Sequence, residues 1–359
     1  MAKLGIALGS GPRGRGFESR HSDQHSTPIW GWSVYFYFWG CIMNLSECKL
    51  GLLSLYMRGK YYLHFPKKNF EENTFIFFLQ NGYPFRHPGL TDRLKAIVNT
   101  YYIAKTNGLN FKIVFDYPFA LTDYLIPNSV DWIIPQGQIS YSWPQTKLFV
   151  YDPKNSKFKK ELLKSGPIQY HCYFYYGNEY PAMQAPGNDW KKLWHSCFYE
   201  LFQPSPYLEK LLSGVNVPDH YVCVHLRFVN ALDNFERGAS SPLNEAQKQD
   251  LIASCLDTVQ DISAKSGELL LFSDSATFLR AAGKKGYHTL GTDSIGHISF
   301  DSSRAAIDKT FIDLFTMSRG DKVYSVRGKN LYNSVFPMYA AIIGDIPYET
   351  VQVNTAKSF

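Results

Sequence analysis

The apolar positions of the chain change their period repeatedly. Thr74-Phe75-Ile76-Phe77-Phe78-Leu79 is a short unbroken apolar run ending at Asn81-Gly82, the pattern of a strand buried on both faces and followed by a turn. From Thr91 to Thr106 the apolar residues Leu94, Ile97, Val98 and Tyr101 recur at three- and four-residue steps, which gives a helix one buried face. Asn107-Gly108 stops that helix, and Phe111 to Phe115 predicts the next strand. One strand, one helix and one strand in this order build a parallel sheet.

Residues 120 to 200 are rich in Tyr, Trp, Pro and Asn and carry little clean periodicity. Trp190 to Phe202 predicts an amphipathic helix, ended by Gln203-Pro204-Ser205-Pro206 because proline cannot continue the backbone ladder. Pro206 to Leu212 predicts a short connecting helix and Val215-Asn216-Val217-Pro218 a linker, so a boundary falls near residues 203 to 220. The pattern then restarts. Strands are predicted at Tyr221 to Arg227, Glu268 to Phe272, near Tyr287 to Leu290 and at Lys322 to Val326. Helices are predicted at Ala246 to Lys265, Ala276 to Lys284, about Ala305 to Arg319 and from near Leu331. No period of 20 to 50 residues repeats, which excludes solenoids and propellers. The expected fold is α/β, with Rossmann-like domains over residues 57–212 and 213–359 facing across a cleft.

Composition changes this picture at the N-terminus only. The chain has 359 residues, 45% of them hydrophobic and 16% aromatic, enough for a large core and more than one domain. Its formal charge of +6 is spread out, without the run of like charges that marks a nucleic-acid arm or a membrane tail. The six cysteines (Cys41, Cys48, Cys172, Cys197, Cys223, Cys255) include no C-x-x-C pair and read as reduced, mostly buried thiols. Residues 1–56 differ from the rest. Their polar, glycine-rich opening lacks periodicity and reads as disordered. It also resembles the peptide produced when a reading frame runs through a transfer-RNA gene, which makes Met57 the expected start. The uncharged aromatic run Pro28 to Met43 is shorter than the roughly 20 residues a bilayer-spanning helix needs. It reads as translated non-coding sequence, as a short signal-anchor of type II orientation, or as a packed or interfacial segment. The expected location is cytoplasmic, with or without membrane association.

In open parallel sheets ligands bind beyond the carboxyl ends of the strands, and three such ends carry reactive groups. His225-Leu226-Arg227 puts a guanidinium at a strand tip, ahead of the polar loop holding Asn230, Asp233 and Glu236. Such an arginine can grip a diphosphate with two parallel donors or pair with a carboxylate such as Asp233. Phe272-Ser273-Asp274-Ser275 offers a carboxylate for a ribose or a guanine edge, or the N-cap of the next helix. Tyr324-Ser325-Val326-Arg327-Gly328-Lys329-Asn330 has the glycine, hydroxyl and amides of a phosphate cradle. Across the cleft, the turn Arg86-His87-Pro88-Gly89-Leu90-Thr91-Asp92-Arg93 offers His87, Gly89, Asp92 and Arg93 to an acceptor, or caps its own helix.

In order and spacing these landmarks resemble the fucosyltransferase superfamily that includes bacterial and plant fucosyltransferases, protein O-fucosyltransferases and the core α-1,6 enzymes. His225-Leu226-Arg227 is similar to its H-x-R signature, Phe272-Ser273-Asp274-Ser275 to its second motif, and Asp313 to Asp321 with Ser325 to Ser334 to its third. Gly89 to Leu94 resembles its N-terminal G-x-G-N-Q-x turn, and Leu201-Phe202-Gln203-Pro204-Ser205 a phrase ahead of its donor domain. Many members carry a second arginine and an aspartate where this chain has Phe228 and Asn230, and Asn-Gln where it has Asp92-Arg93. The resemblance implies a GT-B fold, GDP-fucose as donor, inversion at the anomeric carbon and no required metal or other cofactor. It implies donor contacts from His225, Arg227, Asp274, Ser275, Ser325, Gly328, Lys329 and Asn330. Asp233, Glu236, Asp92 and His87 are the possible bases.

The expected partners are a nucleotide sugar and a glycan acceptor, not nucleic acid. Two rival readings remain: a GT-B transferase using another nucleotide sugar, and a non-catalytic glycan-binding protein stacking sugars on Tyr173, Tyr175, Trp190 and Trp194.

Overall fold

The computed structural model describes residues 35–38, 41–44, 55–56, 58–80, 89–149, 167–173, 183, 187, 189–233, 243–291 and 303–353. His87, Tyr175 and Glu236 lie outside them. The chain divides into Met1–Leu50 and Gly51–Phe359. In the first unit, β1 (Tyr35–Phe38) and β2 (Cys41–Asn44) pair antiparallel, Tyr35 opposite Asn44 and Phe38 opposite Cys41. Part of the aromatic run 28–43 therefore lies in two paired strands; the remainder of 1–54 lies outside the described residues. Among the described residues no helix is long and apolar enough to cross a membrane.

The second unit opens with α1, helical at residues 55–56 and 58–62. It contains two parallel sheets. The first has the order β4-β3-β7-β6, from β3 (Thr74–Leu79), β4 (Asn110–Phe115), β6 (Thr146–Phe149) and β7 (Gln169–Cys172). All six residues of β3 are buried, as an unbroken apolar run requires of a central strand. α2 (Leu90–Thr106) joins β3 to β4. β5 (Leu125–Pro127) pairs antiparallel with β8 (Phe202–Pro204), tying the 120–127 segment to the end of α3 (Trp190–Leu201). α4 (Pro206–Ser213) follows, with Ser205 as its N-cap accepting from Leu208 N and Pro206 in its first turn.

The second sheet is built from β9 (Val222–Leu226), β10 (Leu269–Ser273), β11 (His288–Thr289), β12 (Lys322–Arg327) and β13 (Tyr348–Gln352). Its spatial order is β11-β10-β9-β12-β13, every pair parallel. Its helices are α5 (Glu245–Ser266), α6 (Ala276–Lys284), α7 (Arg304–Ser318) and α8 (Phe336–Gly344). Strand alternation divides the side chains. Val222, Val224, Leu226 and Val326 face α5 and α6, packing with Ile252, Val259, Phe278 and Leu279. Cys223, Leu270, Phe272 and Val323 face α7 and α8, packing with Phe311, Leu314, Tyr339 and Ala340.

That second cluster does not stop at the sheet. It continues through Trp194 and Phe198 of α3 to Phe75, Phe77 and Leu94 around the first sheet, so the two sheets share one apolar core. Polar contacts reinforce the junction. Tyr124 stacks on Phe311 at 4.1 Å, and its hydroxyl donates to Asp308 Oδ1 at 2.6 Å. Arg304 reaches Asp123 Oδ2 at 2.7 Å while lying over the rings of Tyr124 and Tyr207.

α7 and α8 approach so closely that a Cβ on Gly344 would sit 2.0 Å from Ser318 O. Gly344→Ala is therefore expected to lower stability by about 2 kcal/mol, the scale of overpacking a tight contact. Chemical denaturation checks this; an unchanged midpoint would mean the helix ends separate freely.

Candidate active site

The strand order places β10 and β11 on one side of β9 and β12 and β13 on the other. Chain progression thus reverses between β9 and β12, the switch point at which a doubly wound sheet opens a crevice beyond its carboxyl ends. Phe272 pairs with His225, and His225 with Ser325. Two residues further along the same chains stand Asp274, Arg227 and Arg327. Alternation gives each of the three the parity of its predecessor, so they share the face covered by α7 and α8.

Arg227 lies where the crevice opens. Its side chain is 19% exposed, with Nε 3.7 Å from Asp274 Oδ2. The guanidinium stands 4.9 Å over the ring of Tyr332, and its backbone carbonyl accepts from Tyr332 N at 2.7 Å. Tyr332 itself is 58% exposed. Neither residue is sealed in the interior, and the turn after β12 is in direct contact with Arg227.

Asp274 is not the cap of the helix that follows it. Its Oδ1 accepts from Phe228 N at 2.7 Å and its Oδ2 from Val229 N at 2.9 Å, while the helix cap belongs to Ser275. The carboxylate thus holds the turn after β9, and it holds it under strain: Val229 has φ 54°, a left-handed conformation rare for a β-branched residue. Burial pushes the carboxyl of Asp274 up to about 6, partly opposed by the Phe228 amide and the Arg227 charge.

Asp233, a candidate base and candidate partner of Arg227, is engaged elsewhere. It accepts from Ser275 Oγ at 2.5 Å, Thr277 Oγ1 at 2.5 Å and Thr277 N at 3.3 Å. Burial raises its pKa, but these hydrogen bonds outweigh that and hold it below the ordinary range. Asp233 and Ser275 together close the N-terminus of α6, since Ser275 Oγ also accepts from Phe278 N. His225 is buried beside Phe336, at 6.0 Å between ring centres. Burial first, then the charges of Arg227 and Lys309, push it down to about 3, so its imidazole is neutral.

The turn after β12 differs from its expected form. α8 starts at Phe336 rather than near Leu331, with Pro337 in its first turn and Ser334 Oγ accepting from Phe336 N at 3.2 Å. Residues 328–335 are a non-helical turn instead, closed by Leu331 N to Gly328 O and Ser334 N to Tyr332 O. Ser325 is buried within β12, whereas Lys329 and Asn330 are exposed. Gly328 permits close approach to Val353, which an added Cβ would meet at 3.1 Å. Two residues here carried no role in the sequence reading. Tyr332 is the aromatic under Arg227, and Arg327 donates from Nη2 to Tyr348 OH at 3.2 Å while its Nε is buried without a partner among the described residues. Only the parity shared with Arg227 singles out Arg327 in the sequence, and it requires the register to be known.

No family model and no curated protein matches the chain. Among solved structures it is similar to POFUT1 in complex with GDP, at 11% identity and a TM-score of 0.41, covering 78% of this chain and 99% of that one. It is similar also to POFUT1 in complex with GDP-fucose, at 12% identity and a TM-score of 0.39, covering 80% and 99%.

On the first sheet, Gly89 is the N-cap of α2, without a side-chain cap, and its carbonyl accepts from Arg93 N at 3.2 Å. Asp92 pairs with Lys95 at 2.5 Å. Arg93, expected on the acceptor side, is fully buried instead: Nη1 donates to Tyr117 O at 2.9 Å and the guanidinium lies 5.6 Å from the centre of the Phe115 ring. Burial brings its pKa down to about 9. The aromatic platform of the glycan-binding reading is also interior. Trp194 is buried between Phe198 and Tyr339, Tyr173 is buried against Phe78, and Trp190 packs partly buried against Tyr339. Cys172, Cys197, Cys223 and Cys255 are buried free thiols.

Proposed function

We propose that the chain is an inverting glycosyltransferase of GT-B type that transfers fucose from GDP-fucose to a glycan hydroxyl. The carrying observation is Arg227: a partly exposed guanidinium at the sheet's switch point, held from behind by buried Asp274 and faced by exposed Tyr332. The resemblance of the motif order to the fucosyltransferase superfamily favours GDP-fucose among nucleotide sugars.

In this reaction the acceptor oxygen forms a bond to the anomeric carbon while the bond to the β-phosphate oxygen breaks. The acceptor proton is released and GDP departs. Negative charge grows on the β-phosphate as the bond lengthens, so a donor fixed beside that oxygen stabilises the transition state more than the ground state. Arg227 meets this need with a planar fork of donors, and its rear contact with Asp274 limits reorientation during the step. Asp233 is not assigned as the base, because its oxygens already accept three hydrogen bonds.

The rival donor is tested by thermal unfolding with a panel of nucleotides. GDP is expected to raise the unfolding temperature at concentrations where UDP leaves it unchanged. Stabilisation by UDP alone would replace GDP-fucose with a uridine donor, and stabilisation by free glycans without any nucleotide effect would favour the binding-protein reading.

A further inference from the structure

A second surface feature lies far along the chain from the sheet edge, in α1. This helix is anchored to the first sheet by Tyr61, which is buried with Ile76, Phe78 and Tyr173. At 3.6 residues per turn, Leu55, Tyr62, Gly59, Leu63 and Tyr56 fall on one stripe covering roughly a third of the helix circumference, opposite Tyr61. Arg58 flanks the stripe on one side and Lys60 on the other.

The stripe faces solvent. Leu63 is 82% exposed and the neighbouring Phe65 91%, with Leu55, Tyr56 and Tyr62 each more than half exposed. Tyr62 stacks on Trp143 at 4.6 Å, which extends the apolar surface onto the adjoining loop. A contiguous exposed apolar face of this kind marks an interaction site in a soluble fold. Charge indicates what covers it. Residues 55–70 contain Arg58, Lys60, Lys67 and Lys68 and no acidic residue, and the next carboxylates, Glu71 and Glu72, come after the stripe and Phe65. Lys60 Nζ lies 4.9 Å from the centre of the Tyr56 ring, with its head beside the apolar stem of the patch. Aromatic and aliphatic side chains bordered by basic heads complement the boundary between acyl chains and anionic headgroups.

We propose that α1 and Phe65 form a docking surface for an anionic phospholipid membrane, on which the protein lies peripherally. The apolar stripe enters the headgroup boundary, and Arg58, Lys60 and Lys68 meet lipid phosphates, while Lys67 Nζ donates to Gly137 O at 3.1 Å. This inference is independent of the glycosyltransferase reading.

Vesicle flotation of the full chain tests it, using phosphatidylcholine vesicles with and without phosphatidylserine. Gly59→Glu is the informative variant: a Cβ at Gly59 meets nothing within 4 Å, so a carboxylate enters the stripe without displacing the core. The wild type is expected to float with phosphatidylserine vesicles and far less with phosphatidylcholine alone. Gly59→Glu is expected to cut the bound fraction about tenfold while its thermal unfolding is unchanged, the equivalent of roughly 1.4 kcal/mol. The proposal is overturned if the wild type fails to float, if it floats equally with both vesicles, or if Gly59→Glu floats like the wild type. It is overturned as well if the chain is dimeric by light scattering and Gly59→Glu makes it monomeric, since the stripe is then an interface between two copies.

Discussion

Arg227→Ala is expected to lower transfer from GDP-fucose by about 10²-fold or more, the scale on which removal of one donor from a developing anion reduces kcat. Most of the loss should appear in kcat, because the contact strengthens as charge moves onto the β-phosphate. Arg227→Lys keeps the charge and loses the planar fork, so it should recover only part of the rate. Single-turnover kinetics with radiolabelled GDP-fucose, alongside thermal unfolding of each variant, separates a chemical defect from a folding one. A folded Arg227→Ala protein with near-normal turnover would remove the guanidinium from the mechanism.

Asp274→Ala should lower folding stability by about 3 kcal/mol, as expected when a buried partner is removed and the opposing charge is left behind. The Phe228 and Val229 amides also lose their acceptor, and the left-handed Val229 loses what holds it. Asp274→Asn keeps the shape and one of the two backbone acceptors, turns its NH2 toward the other N–H, and removes the titration, so it serves as the pH control. The folded-state pKa of Asp274 is raised from 3.8 to about 6, chiefly by burial. A raised acid contributes stability that is fully present below its unfolded value and is lost as pH rises through the folded one. This carboxyl therefore costs stability progressively between pH 4 and pH 6, and Asp274→Asn should flatten that part of the stability curve. Activity should run the other way. The carboxylate is the form that steadies Arg227, so wild-type turnover is expected to rise as pH passes through about 6, and in Asp274→Asn that limb should vanish. A merely structural role for Asp274 would leave the shape of the activity profile unchanged.

The elements legible in the sequence are those whose local period and whose environment agree. β3 is an apolar run because both of its faces are covered, and β9 and β10 read as strands for the same reason. The strands of residues 120–200 do not read this way. β7 is Gln169-Tyr170-His171-Cys172, fully buried yet half polar. Its polar side chains are satisfied by partners distant in sequence: His171 Nδ1 bonds with Tyr61 OH at 2.7 Å, and Gln169 Oε1 accepts from Ser140 N at 2.9 Å. A polar residue buried through a remote partner is indistinguishable in sequence from one in a loop. The start of α8 is displaced for a local reason: Pro337 would fall inside a helix begun near Leu331, where it has no N–H to donate, and it fits the first turn of a helix begun at Phe336.

At the site itself, the sequence by itself determined that a guanidinium, a carboxylate and a hydroxyl- and glycine-containing turn stand at the ends of strands, because strand ends are set by local pattern. It determined the alternation of strand and helix for the same reason. Which groups remain available to a ligand was decided only by the tertiary structure. Register set Arg227 against Asp274 and Tyr332, packing drew Arg93 into the core, and the N-terminus of α6 engaged Asp233 and Ser275. A side chain's chemistry is fixed by its covalent structure, but its role depends on which donors and acceptors reach it first, and those come from residues far away along the chain.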